Sequence, residues 1–127
     1  MNPSIFKAVD VRGIYPTEIN EAIATKIGSA CVKLFSHGTV IVAHDIRHGS
    51  EILAKTVAKN IIGEFDVIFV GLSTTPMYYF LVNELGAVGG CMVTASHNPK
   101  NYNGFKIVKS GAQAVSGTTI RDIISTL

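Results

Sequence analysis

Hydrophobic residues occur along this chain in two patterns, as short uninterrupted runs and as stripes at helical spacing. The uninterrupted runs predict buried strands, because they lack the polar alternation of a strand with one wet face. These strands are Thr39–Ala43, Val67–Val70, the run leading to Ser96, and Phe105–Val108. Ile5–Val11 alternates weakly, which predicts an opening strand, and Gly13 and Pro16 act as the breakers of the turn that follows.

The helical stripes lie between these runs. The first predicts a helix capped by Thr17 and stopped by Gly38, with apolar positions at Ile19, Ile23, Ile27, Ala30, Cys31 and Leu34. The second stops at Gly63 and uses Leu53, Ala54, Val57, Ala58, Ile61 and Ile62.

Two shorter helices complete the pattern. Thr75 can cap a helix over Met77–Leu85, with Pro76 in its first turn. A last helix begins near Thr118 and presents Ile120, Ile123, Ile124 and Leu127.

This alternation of strands and helices predicts an α/β fold, a three-layer α/β/α sandwich formed by a single domain over residues 1–127. The sheet should be mixed and mainly parallel. The last strand is expected to be antiparallel to its predecessor, because the Ser96–Gly104 connection is too short for a helical crossover.

The composition of the chain limits its possible partners and its cellular compartment. Only 16% of residues are charged, against about 25% in typical domains, and 47% are hydrophobic, which suggests surface that another part of a protein covers. The net charge is +2 without a basic cluster, so we expect no nucleic-acid partner. We also expect no membrane association, because no apolar run approaches the required length. Cys31 and Cys91 lie in apolar patterns typical of reduced thiols, which favours a cytoplasmic protein.

Four polar segments interrupt the pattern, at Asp10–Gly13, His44–Ser50, Ser73–Pro76 and Ser96–Asn103. Three follow strands and precede helices, so they should gather at one edge of the sheet, where open α/β sheets bind ligands. Each segment taken by itself also has the composition of an ordinary polar turn without a function.

Ser96 is the strongest candidate for a residue that takes part in a reaction. A serine hydroxyl needs a base or a charge partner, and adjacency in sequence does not pair it with His97. The surrounding residues also lack the G-x-S-x-G pattern of many hydrolases. Backbone N–H groups, the Asn98 amide and the nearby Lys106 instead suit a phosphate, bound or carried covalently on Ser96.

The serine segment resembles a known signature. Thr94-Ala95-Ser96-His97-Asn98-Pro99, followed by Tyr102-Asn103-Gly104-Phe105-Lys106, is similar to the active-serine motif of the α-D-phosphohexomutases. Phe6–Gly13 resembles that family's F-x-x-Y-D-I-R-G motif, with Val9 in place of tyrosine. Asp45-Ile46-Arg47 resembles its D-x-R loop, and Gly71 with Thr75-Pro76 its G-x-x-x-T-P turn. The resemblance covers the chain from end to end and corresponds to the first of four domains.

The resemblance implies reversible intramolecular phosphoryl transfer between C1 and C6 of a hexose phosphate, with a phosphoserine at Ser96. Lys106 and His97 would be catalytic, and Arg12, Asn98 and Arg47 would bind phosphate or substrate. Mg²⁺ would bind through the Ser96 phosphate, with its other ligands outside this chain. The expected partners are the hexose phosphate and the remaining domains of a larger enzyme, without which this domain should be inactive.

For most of these residues, a purely structural role is the alternative. Arg12 can pair with Asp10 or Asp45, Lys106 can be a solvated strand lysine, and His97 and Arg47 can serve only to hold loops. Met77–Phe80 are expected to pack in the core or against a second domain rather than to bind a ligand. For the whole chain, a free-standing phosphate-binding or interaction module is the alternative, and a serine hydrolase is a weaker third possibility.

Overall fold

The computed structural model describes residues 1–127. In chain order its elements are β1 (Val11–Ile14), α1 (Glu21–Leu34), β2 (Thr39–His44), α2 (Ser50–Ile61), β3 (Asp66–Leu72), α3 (Thr75–Glu84), β4 (Gly89–Val93), β5 (Tyr102–Lys109), β6 (Gln113–Ala114) and α4 (Gly117–Ile124). A 3₁₀ turn at Pro3–Ile5 precedes β1. None of the helices is both long and apolar enough to cross a membrane.

The strands form one mixed sheet in the order β1-β5-β4-β2-β3, with β6 paired to β5. β2 is parallel to both β3 and β4, whereas β5 is antiparallel to β1, β4 and β6. β5 therefore runs against all the other strands, as the short connection after Ser96 predicts. The two-residue β6 was not predicted, and it follows β5 after a tight turn at Ser110–Ala112.

The helices cover the two faces of the sheet unequally. α1, α2 and α4 pack with one face in a core that includes Ile27, Leu53, Phe105 and Ile120. α3 covers part of the other face, where Tyr78 and Val82 pack on Ile41, Ala43 and Met92. The predicted three-layer α/β/α sandwich is confirmed.

The opening strand was predicted too early. Strand β1 starts at Val11, where Ile5–Val11 was expected to end, and Gly13 lies inside it rather than breaking it. The Lys7 N–H donates to the Asp10 carbonyl at 2.8 Å, which closes a tight loop between the two buried residues Ile5 and Val11. A loop that returns to the core buries apolar residues at its two ends, and this produces the weak alternation.

Two helix caps lie close to the predicted positions but on different residues. Asn20, not Thr17, caps α1 by accepting the Ile23 N–H at 3.1 Å. Thr74, not Thr75, caps α3 by accepting the Met77 N–H at 3.2 Å. In both cases another side chain able to cap a helix lies nearby, and the observed backbone geometry selects the residue.

Strand β3 was predicted to be buried on both faces, and this was wrong. It lies at one end of the sheet order, and Ile68, Phe69 and Leu72 are 36%, 38% and 64% exposed. The prediction failed because β3 has the apolar composition of a central strand. An apolar run does not by itself distinguish a covered strand from an uncovered one.

Both cysteines are free and fully buried, as predicted. Burial raises the pKa of Cys31 to about 12 and the pKa of Cys91 well above its usual value, because a thiolate loses its hydration in the apolar core. Neither thiol is therefore a reactive nucleophile in the folded protein.

Gly104 is required where β5 passes β1. A side chain there would collide with the backbone of β1, since a Cβ atom would press on the Val11 carbonyl oxygen and lie 3.0 Å from the Arg12 Cα. We expect Gly104→Ala to lower the free energy of unfolding by about 2–3 kcal/mol. Urea denaturation measures this, with Gly63→Ala as control because a Cβ at Gly63 meets nothing within 4 Å. Equal stability of the two variants would contradict the expected clash.

Candidate active site

The polar segments meet at one edge of the sheet because β2, β3 and β4 are parallel and end there. The segments after β2 and β4 touch directly, since the Thr94 hydroxyl donates to Asp45 Oδ2 at 2.7 Å. Arg12 joins them from β1, where it is paired in register with Gly104 at the start of β5. The edge therefore brings together residues that are up to 96 positions apart, from Asp10 to Lys106.

Ser96 lies at this edge of the sheet and has an unusual backbone conformation. Its φ is 53°, in the left-handed region that residues other than glycine seldom occupy. The Ser96 N–H donates to Thr94 Oγ1 at 3.0 Å. The Ser96 hydroxyl makes no hydrogen bond within the chain, so it is available to a ligand. Strained backbone of this kind is often concentrated at functional sites, where surrounding contacts hold it in place.

Arg47 holds the loop after Ser96 through backbone carbonyls. Its Nη2 donates to the carbonyls of Ser96 and Asn98, each at 2.7 Å. Its Nη1 donates to Pro99 at 2.7 Å and to Tyr102 at 3.2 Å. The Nε lies 3.4 Å from Asp45 Oδ2, so every donor of this guanidinium faces an acceptor. These contacts favour the loop-holding role of Arg47 over the predicted phosphate contact, because no donor is left for a phosphate.

Arg12 and Lys106 share a buried carboxylate. Asp10 is 3% exposed, and its Oδ2 forms an ion pair with Arg12 Nη2 and lies 3.4 Å from Lys106 Nζ. Arg12 Nη1 also donates to Asn98 Oδ1. The Arg12 Nε is buried without a hydrogen-bond partner. The ion pair with Asp10, which the sequence left open for Arg12, is present, and one carboxylate faces two cations, leaving an excess of positive charge.

His97 and Asn98 are placed differently from each other. The His97 ring is exposed and makes no hydrogen bond within the chain. The Asn98 N–H donates to the Ala95 carbonyl at 3.0 Å, which closes the turn around Ser96, while its side chain contacts Arg12. Asn98 therefore links the serine loop to β1, whereas the His97 side chain makes no such link.

An open cleft of about 550 Å³ contains the serine. Its lining residues come from the start of α3, the end of β4, the serine loop and β5; they are Thr75, Pro76, Tyr79, Thr94, Ser96, His97 and Lys106. Three of the six predicted site residues, Ser96, His97 and Lys106, thus share one cleft. Clefts of this volume are typical of small-molecule sites.

Four residues at this edge were not among the predicted site residues. Asp10, Asp45 and Thr94 are connected to the site through hydrogen bonds or ion pairs, and Tyr79 lines the cleft. Met77–Phe80 were predicted to pack in the core or against a second domain; Tyr78 is in the core, Met77 and Phe80 are exposed as a surface for a second domain would be, and Tyr79 faces the serine cleft. Asp10 and Asp45 both belonged to predicted edge loops and to the motifs that resemble the family, and both were named as possible partners of Arg12.

The residues of this chain do not fit a Mg²⁺ site on their own. No three His, Cys, Asp or Glu side chains are grouped so that they could hold a metal ion. Asp10 is neutralised by two cations, and Asp45 accepts hydrogen bonds from Thr94 and Ser50. Mg²⁺ requires about six oxygen ligands in octahedral geometry, and Ser96 supplies at most one.

Comparisons with known proteins agree with this architecture. Residues 3–127 match the family described as phosphoglucomutase/phosphomannomutase, alpha/beta/alpha domain I. A phosphomannomutase from Escherichia coli is 45% identical over 120 residues, which cover 93% of this chain and 26% of that protein. One from Klebsiella pneumoniae is also 45% identical over 120 residues, covering 93% of this chain and 76% of that protein.

Solved structures have the same fold. A phosphoglucomutase/phosphomannomutase family protein from Burkholderia thailandensis superposes with a TM-score of 0.83 at 30% identity, covering 98% of this chain and 30% of that one. The chain thus spans between about a quarter and a third of the length of the Escherichia coli and Burkholderia thailandensis proteins. It belongs to the phosphoglucomutase/phosphomannomutase family and has the α/β/α fold of domain I.

Proposed function

We propose that this chain is the domain of a phosphohexomutase that carries the transferred phosphoryl group on Ser96. The observation that carries the proposal is the setting of Ser96, whose unpaired hydroxyl lines a cleft shared with Lys106. In the reaction, the Ser96 phosphate passes to one hydroxyl of a hexose monophosphate and gives a bisphosphate. The bisphosphate then returns its other phosphoryl group to Ser96, so that phosphate is neither gained nor lost.

The charges around Ser96 support phosphoryl transfer over acyl transfer. Phosphoryl transfer depends mainly on positioning and on neutralising the charge of the phosphoryl oxygens. Arg12 and Lys106 share a single carboxylate, so they offer net positive charge. A serine hydrolase needs a base bonded to its nucleophile, and the Ser96 hydroxyl has no such partner.

Lys106 is the residue best placed to act on the sugar. It lines the cleft with Ser96 and is 16% exposed, so its ammonium is shielded from bulk water yet open to a ligand. It would stabilise charge or move a proton at the attacking sugar hydroxyl. Arg12, with Asn98 beside it, would bind phosphate by exchanging part of its contact with Asp10. His97 would contact the ligand from the exposed rim of the cleft.

The remaining parts of the catalytic machinery would come from outside this chain. Mg²⁺ would provide electrostatic stabilisation of the phosphoryl group, with the Ser96 phosphate as its one ligand here. The exposed apolar side chains of β3, of α3 and of the residue that follows α3 would be covered by other domains of the enzyme; they are Ile68, Phe69, Leu72, Met77, Phe80 and Leu85. The substrate class is a hexose phosphate, and the isolated chain should have negligible mutase activity.

A chimera tests the proposal. This chain replaces the matching 120 residues of the Escherichia coli phosphomannomutase, and conversion of mannose 1-phosphate to mannose 6-phosphate is measured. We expect activity within about tenfold of the parent, because 45% identity over the 120 matching residues implies a closely similar domain at the site. The isolated chain, assayed in parallel, should show no turnover.

The main alternative, a phosphate-binding or interaction module without catalysis, predicts a different result. Such a module would give a folded chimera that binds the sugar phosphate but does not interconvert it. Circular dichroism and urea denaturation establish folding before the assay. A folded and inactive chimera would exclude the catalytic proposal.

A further inference from the structure

The backbone of Ser96 is held by a side chain two residues before it. Thr94 is 4% exposed, and its Oγ1 accepts the Ser96 N–H at 3.0 Å. The same hydroxyl donates to Asp45 Oδ2 at 2.7 Å. Thr94 thus connects the serine loop to the turn between β2 and α2, which is 49 residues away in sequence.

The Asp45 carboxylate determines the direction of its hydrogen bond with Thr94, in which the threonine hydroxyl is the donor. An ionised carboxylate only accepts, so the Thr94 hydroxyl must direct its single proton towards Asp45. Its lone pairs are then left for the Ser96 N–H. With a partner that could also donate, the hydroxyl could rotate and the Ser96 amide could lose its acceptor. Asp45 therefore acts on Ser96 through Thr94 without touching it.

Asp45 is itself held on several sides. Its Oδ1 accepts the Ser50 hydroxyl at 2.5 Å and the Arg47 N–H at 3.0 Å. Ser50 in turn accepts from Asn103 Nδ2 at 3.0 Å, and both Ser50 and Asn103 are fully buried. A carboxylate with this many donors occupies one orientation, so it can impose that orientation on Thr94.

We propose that Thr94 and Asp45 are positioning residues that hold Ser96 in its left-handed conformation and thereby direct its hydroxyl into the cleft. This inference rests on the proposed function for its catalytic consequence, but its structural part stands alone. The φ of 53° at a serine requires such support, because an extended or right-handed backbone would otherwise be favoured.

Nuclear magnetic resonance on the 127-residue chain tests the structural part. Thr94→Val keeps the shape of the side chain but removes the hydroxyl, and we expect the Ser96 amide hydrogen to exchange about five- to tenfold faster, as loss of one hydrogen bond implies. The ¹³Cα and ¹³Cβ shifts of Ser96 should also leave their left-handed values. Thr94→Ser restores the hydroxyl and should return exchange to within about twofold of wild type.

A double-mutant cycle tests whether Asp45 acts through Thr94. Asp45→Asn should accelerate Ser96 amide exchange about threefold in the wild-type chain but change it by less than about twofold in the Thr94→Val background. Thr25→Val, which removes an exposed hydroxyl from α1, is the matched control and should leave Ser96 exchange unchanged. Unchanged Ser96 shifts and exchange in Thr94→Val would overturn the inference.

The chimera supplies the catalytic readout. Thr94→Val should lower its kcat about 10- to 100-fold, as expected when a reacting group is misplaced by about 1 Å, with KM nearly unchanged. Thr94→Ser should recover most of this loss. Full kcat in the Thr94→Val chimera would overturn the catalytic part. If the unmutated chimera is inactive, the proposed function fails, while the exchange measurements still decide whether Thr94 and Asp45 hold Ser96.

Discussion

Ser96→Ala is expected to abolish mutase activity in the chimera, by at least about 10⁴-fold in kcat. The proposed reaction passes through a phosphoryl group on Ser96 Oγ, and the hydroxyl of Thr94, two residues earlier in the chain, is not free to replace it. Thr94 Oγ1 is buried and bonded to Asp45. Intact-mass spectrometry of the chimera incubated with substrate should detect one phosphoryl group on the unmutated protein and none on the Ser96→Ala protein.

A second serine at the same edge provides the control. Ser73 follows β3, and its hydroxyl donates to the Thr74 carbonyl at 3.0 Å. Ser73→Ala should retain both activity and the phosphoryl group. A Ser96→Ala chimera that is folded and still phosphorylated would show that another residue carries the phosphate.

Arg47→Lys should destabilise the fold strongly even though it preserves the charge. A lysine offers one ammonium in place of a planar fork, so it cannot reach four carbonyls and the Asp45 carboxylate at once. The carbonyls left without donors are those of Ser96, Asn98, Pro99 and Tyr102. We expect a loss of about 2–4 kcal/mol in the free energy of unfolding, measured by urea denaturation.

Arg121→Lys is the matched control for charge and chemistry. Arg121 is half-exposed on α4 and pairs only with the neighbouring Asp122, so this substitution should change stability by less than about 0.5 kcal/mol. Similar stabilities for the two variants would show that Arg47 does not hold the serine loop. Loss of chimera activity without loss of stability would instead restore the phosphate-binding role for Arg47.

Most of the fold could be predicted because buried positions of helices and strands recur with a regular spacing of apolar residues along the chain. The stripes of α1 and α2 and the run of β2 predict those elements to within a few residues, since each packs one continuous surface into the core. The antiparallel β5 also followed from local information, because a short connection excludes a crossover helix. The loop that carries Ser96 was located in the same way, from its place after a buried strand and from the surrounding motif, and the chemistry assigned to Ser96 stays a prediction.

The errors arose where local pattern carries no information about neighbours. The apolar run in β3 predicts burial equally for a central strand and for an edge strand, and only the sheet order distinguishes them. The phosphate contact predicted for Arg47 stays a prediction; its residue type and loop position suggested that contact, and neither indicates what surrounds the guanidinium. Its fork is filled by carbonyls from a segment about fifty residues away, which no spacing along the chain indicates.

The sequence alone thus determined the layers of the sandwich, the reversed last long strand and the serine loop, because helix and strand periods and turn residues act over a few positions. Only the tertiary structure decided how that loop is held. Arg47, Asp45 and Thr94 meet there because parallel strands end at a common edge. Their hydrogen bonds depend on distances of about 3 Å between segments far apart in the chain. Such contacts exist only once the sheet has formed.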